Sequence, residues 1–79
     1  MRVTVKLFAT LTRFRPDTKA GRAFEVELPE NAAVQDLIDH LGIPIWETHI
    51  VFINSIIQEP ASRLKEGDIV GLFPPVGGG

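Results

Sequence analysis

The stretch NAAVQDLIDHLGIP, Asn31 to Pro44, is where the sequence changes period and so decides the fold. Val34, Leu37, Ile38 and Leu41 fall at i, i+3, i+4 and i+7, one apolar stripe on a helix, while Gln35, Asp36, Asp39 and His40 take the solvent side. Asn31 stands where an N-cap belongs, Gly42 where a left-handed residue ends a helix, and Pro44 just beyond. A single stripe cannot bury itself. No second stretch has this period at useful length, because the only remaining candidate, Ala61 to Lys65, is too short. The helix must therefore be covered by a sheet.

Outward from the helix, both flanks read as strands. On the N-terminal side, RVTVKLF (Arg2–Phe8) alternates, with Val3, Val5 and Leu7 on one face and Thr4, Lys6 and Phe8 on the other. The polar stretch RFRPDTKAGR follows, with turn signals at Pro16-Asp17 and Ala20-Gly21. AFEVELP then alternates again, burying Phe24, Val26 and Leu28 until Pro29 ends the ladder, so the pair predicts a hairpin with a basic loop. On the C-terminal side, Ile50–Ile53 and Ile56–Ile57 are short apolar runs separated by the tight-turn signal Asn54-Ser55. Leu64–Asp68 is a second turn, and Ile69–Phe73 is a last strand stopped by Pro74-Pro75, neither of which can donate a ladder hydrogen bond.

The order β β α β β β predicts an α+β β-grasp, a mixed sheet curled over one main helix, with the first and last strands parallel at its centre. A ferredoxin-like order would need the missing second helix. The expected domain is residues 1–73, with an extended tail at 74–79.

Seventy-nine residues suffice for one small domain. With no cysteine, packing alone must hold it, and neither a disulfide nor a cysteine-based zinc site is available. A net charge of -2 lacks the basic excess of a dedicated nucleic-acid binder. Arg2, Thr4 and Lys6 interrupt the first ten residues, and no apolar run reaches membrane-spanning length, so the expectation is a cytoplasmic protein with neither nucleic-acid nor membrane partners. His40 and His49 have no cysteine company, so no metal is expected. Asp68 has no second acid, serine or histidine at a spacing that suggests a catalytic set. Nothing in the chain looks like an active site of its own, so an enzyme is not expected. Nor is the terminal GGG a phosphate cradle, which would need a helix after it.

KLFATL (Lys6–Leu11), VQDLIDHLG (Val34–Gly42), Ile53-Asn54, LKEGDIV (Leu64–Val70) and the terminal FPPVGGG (Phe73–Gly79) together resemble the MoaD/ThiS family of ubiquitin-like sulfur carriers over nearly the whole chain. Pro-Pro-Val before a diglycine is most similar to the small subunit of molybdopterin synthase. Three features depart from the family pattern: Gly77 where Ser or Ala is common, Asn-Ser where Asn-Gly is usual, and a short IPIWETH segment. The resemblance implies that an E1-like adenylating enzyme of MoeB/ThiF type uses ATP to activate the carboxylate of Gly79. A sulfur donor then leaves a thiocarboxylate, which the large subunit of molybdopterin synthase uses in molybdopterin (molybdenum cofactor) biosynthesis. Alternatives are delivery to thiazole synthase for thiamine, attachment to protein lysines, or, in another class, a binding module with an idle tail. No bound cofactor is implied.

The tail suits that chemistry. A free α-carboxyl has a pKa of about 3.3 to 3.7, so Gly79 is an anionic nucleophile at neutral pH without a side-chain base. Gly77 and Gly78 carry no Cβ and can pass through a narrow channel. Pro74, Pro75 and Val76 lead the chain away from the sheet on a stiff path. Residues 74–79 fully extended reach on the order of 20 Å. Without a thiol in the chain, carried sulfur must sit on the terminal carbonyl. Phe8 and Phe73, on the outward face of the central strands, are the candidate docking residues. Arg13, Arg15, Lys19 and Arg22 suit either steering of an acidic partner or a solvated loop.

Overall fold

Alternation puts Val3, Val5 and Leu7 on the buried face of strand β1 (Arg2–Leu7). The computed structural model describes residues 1–75, and every later element is arranged around this strand. Strand β2 (Ala23–Glu27) pairs with it antiparallel, from Arg2 opposite Glu27 to Lys6 opposite Ala23. Helix α1 (Val34–His40) follows, then β3 (Ile50–Ile53), β4 (Ile56–Gln58) and β5 (Ile69–Phe73). The sheet order is β2-β1-β5-β3-β4, with β5 parallel to β1 (Val5 opposite Val70, Leu7 opposite Leu72) and antiparallel to β3. This is the β-grasp, a mixed sheet over one helix, with the first and last strands adjacent at the centre.

The helix supplies Val34, Leu37 and Ile38, none of which is exposed, against Val3, Val5, Val26, Val51, Val70 and Leu72 of the sheet. Leu41 is half-buried at the margin of this core. Gly42, at φ +75°, takes the left-handed conformation that ends the helix, as its position in the sequence implies.

Four expectations need correction. The helix starts later than Asn31, which instead adopts φ +69° in the turn before it. Its first-turn donors are satisfied differently: the Asp36 carboxylate accepts the Ala33 N–H at 2.8 Å, and the carbonyls of Ser62 and Pro60 accept from Val34 and Gln35. Strand β1 closes at Leu7, although Phe8 remains extended at φ -123°. The connection to β2 is not a simple loop, because Ala9–Phe14 forms a 3-10 helix that buries Leu11. Phe24 is only half-buried, and the Arg15 guanidinium lies 4.4 Å from its ring centre. Among the described residues no helix is long and apolar enough to cross a membrane.

Candidate functional site

Because β5 is a central strand, its outward residues Ile69, Gly71 and Phe73 lie between those of β1 and β3. Gly71 stands opposite Lys6 on one side and Phe52 on the other, and Phe73 stands opposite Ile50. Gly71 has no side chain, so aromatic rings close over the backbone there. A Cβ at this position would lie 3.5 Å from the Phe8 ring and 3.7 Å from the Phe73 ring, which is ordinary contact. The Phe8 and Phe73 rings are parallel, with centroids 4.2 Å apart, and Phe52 meets Phe73 edge to face at 5.5 Å. The fold brings Phe8 and Phe73, the two docking candidates of the sequence, into one stack. Phe52, the third ring, is hidden in the sequence, because Ile50–Ile53 reads as one apolar run whose alternation shows only when the facing strand is known.

A groove of about 300 Å³ runs along this stack, lined by Phe8, Phe52, Phe73, Ile69 and Lys6, with Ser55 at its far end. Ile57, opposite Phe52 and 65% exposed, extends the apolar area towards the sheet edge. Beyond β1 the same face is charged: the Arg2 guanidinium donates to Glu27 at 2.9 Å and lies near Glu25. The outward surface is thus apolar on the β5–β3–β4 side, ionic on the β1–β2 side, and Lys6 stands at the boundary.

The strand that carries Phe73 is held at both ends. Its exit is fixed by His49, whose N–H donates to the Phe73 carbonyl at 2.8 Å, and by Phe8, whose N–H donates to the Leu72 carbonyl. Its start is fixed by Asp68, which is buried: the carboxylate accepts from the Asn54 amide at 3.0 Å and from the Lys65 N–H at 2.8 Å. The Asn54 side-chain carbonyl in turn accepts from the Ile69 N–H. Asp68 is spent on structure. Pro74 is half-buried and Pro75 exposed, so the chain is already leaving the sheet there. Val76, Gly77, Gly78 and Gly79 lie outside the described residues.

Two of the four basic loop residues are paired within the domain: Arg13 with Glu47, and Arg15 with Asp17 at 3.1 Å. A second depression, under the start of α1, includes Glu30, Asp36, His40 and Arg63. Three of these are committed elsewhere, Glu30 to the Met1 ammonium, Asp36 to the Ala33 N–H and Arg63 to the Asn31 carbonyl. Among the described residues no three His, Asp or Glu side chains are gathered as a metal would need. The described residues therefore offer an apolar aromatic face and a fixed exit for the chain.

The family model described as ThiS matches residues 5–79. Among solved structures, a chain assigned as molybdopterin converting factor subunit 1 from Pyrococcus furiosus superposes with a TM-score of 0.72 at 30% identity, covering 96% of this chain and 99% of that one. SAMP1, small archaeal modifier protein 1, from Haloferax volcanii gives a TM-score of 0.72 at 29% identity, with all of both chains covered. A complex of subunits 1 and 2 of molybdopterin-converting factor from Helicobacter pylori gives 0.58 at 23% identity over the full length of both chains, a likeness of fold alone. No curated protein matches the chain.

Proposed function

From the chain's membership of the ThiS family of ubiquitin-like sulfur carriers, we propose that it carries sulfur as a thiocarboxylate on Gly79 for molybdopterin biosynthesis. One observation carries this reading: the family match runs through residue 79 and so includes the terminal glycines. In the proposed cycle the Gly79 carboxylate attacks the α-phosphorus of ATP in an E1-like enzyme, releasing pyrophosphate and forming an acyl-adenylate. A sulfur donor then displaces AMP. The large subunit of molybdopterin synthase receives the thiocarboxylate, and the tail is returned as a carboxylate.

The domain's part is to present the tail. The rigid β5 fixes where it starts, and the Phe8–Phe73–Phe52 face offers apolar area beside it for the protein that takes it in. The Helicobacter pylori relative is described in a complex of subunits 1 and 2, and we extend a partner of that kind to this chain.

Incubation with a cognate adenylating enzyme, ATP and a sulfur donor should raise the mass of the intact chain by the difference between sulfur and oxygen. Deletion of Gly78 and Gly79, which removes the terminal diglycine, should abolish the gain. A wild-type mass that stays constant with an active enzyme would overturn the reading. The likeness to small archaeal modifier protein 1 supports a second reading, attachment of Gly79 to lysines of other proteins. It predicts Gly79-dependent covalent adducts in cell extracts, which a carrier confined to sulfur delivery would not form.

A further inference from the structure

Trp46 is 76% exposed and its neighbour Ile45 is 43% exposed, both on the short 3-10 turn Ile45–Glu47. A tryptophan set in water is a poor use of the residue with most to gain from burial, and this one is not on a loose loop. The Glu47 N–H donates to the Pro44 carbonyl and the Thr48 N–H to the Ile45 carbonyl, closing the turn. Glu47 is paired with Arg13 of the Ala9–Phe14 helix, and His49 holds the carbonyl of Phe73. The turn is therefore fixed to the end of the molecule from which the tail leaves. Trp46 is three residues from His49, so its Cα lies within roughly 15 Å of the Phe73 Cα.

The length of the tail does the rest. Pro74 to Gly79 span on the order of 20 Å at most, so an enzyme that takes Gly79 into an ATP site must bring its surface against this end of the domain. The exposed indole is within reach of a surface so placed. Aromatic groups that are rigidly held and then fully desolvated are the ones that dominate interfaces.

We propose that Trp46, with Ile45 beside it, anchors the domain in an apolar pocket of the adenylating enzyme that takes the tail. This rests on the carrier reading above and adds a contact separate from the Phe8–Phe73–Phe52 face. The anchor acts on docking and leaves the attack of Gly79 on ATP untouched. ATP–pyrophosphate exchange by that enzyme, measured against carrier concentration, tests it. Trp46→Ser should raise the KM for the carrier at least about tenfold, with kcat within about twofold. Trp46→Phe should recover most of the loss. Ile56→Ser, an exposed apolar residue on the far edge strand, should behave as wild type.

A Trp46→Ser variant with wild-type KM, or one that loses only kcat, would overturn the proposal while leaving the carrier reading intact. Absence of exchange with the wild-type chain would overturn both. As a second measurement, Trp46 is the chain's single tryptophan, so a fluorinated tryptophan gives one fluorine resonance. That line should shift when the enzyme is added, and a line that stays unmoved at saturating enzyme would also overturn the proposal.

Discussion

Asn54 and Ser55 occupy the β3–β4 turn at φ +51° and +73°, the pair of left-handed conformations that a two-residue hairpin turn needs. The two residues tolerate this unequally. Asparagine accepts the left-handed region, and here its side chain also joins β5 through Asp68 and the Ile69 N–H. Asn54→Ala should therefore cost about 2–3 kcal/mol, two lost hydrogen bonds plus backbone strain, read from urea denaturation. Serine has no such compensation, since among the described residues its side chain has no hydrogen-bond partner. Ser55→Gly should stabilise by about 0.5–1 kcal/mol, relief of strain less the extra freedom of glycine when unfolded. The turn itself was legible in the sequence, because Asn-Ser between two apolar runs has a local cause. The bond to Asp68 was not, since it joins residues 14 apart whose approach depends on the register of β3 against β5.

Elements show the same division between local and distant causes. The stripe of α1 and the alternation of β1 were readable because each is a period along the chain. The start of α1 was not, because its donors are met by carbonyls from residues 60 and 62 of a different segment. Asp36, which faces solvent, closes that start, so Asp36→Ala should lower stability by about 1 kcal/mol, measured by thermal or urea unfolding. The Ala9–Phe14 helix escaped notice for a further reason: its one buried apolar residue, Leu11, makes no period to detect. For the candidate site, two of the three stacked aromatic residues, Phe8 and Phe73, could be named from the sequence. Phe52 could not, since only the register of β3 against β5 places it beside Phe73.

For the whole molecule, the first residue is tied into the edge of the sheet. The Met1 ammonium donates to the Leu28 carbonyl at 2.7 Å and lies 3.0 Å from the Glu30 carboxylate. The hydrogen bond to Glu30 raises its pKa above the ordinary value, with the charges of Glu30, Glu27 and Glu66 adding to the effect. A raised folded-state pKa gives stability that is complete below the unfolded value, about pH 8, and is lost as pH rises through the folded one. Urea midpoints of the chain should accordingly fall on the alkaline side of about pH 8, and the fall should be smaller in Glu30→Gln. The opposite end of the chain gives the centre of the sheet a mechanical meaning. Strand β5 is laced to β1 on one side and to β3 on the other, four residue pairs in each ladder. A force applied to the tail along the strand must shear both ladders together rather than peel one open from an edge. A pull on this terminus therefore leaves the domain folded until both ladders yield, and an unfoldase that starts here meets first a strand paired on both sides.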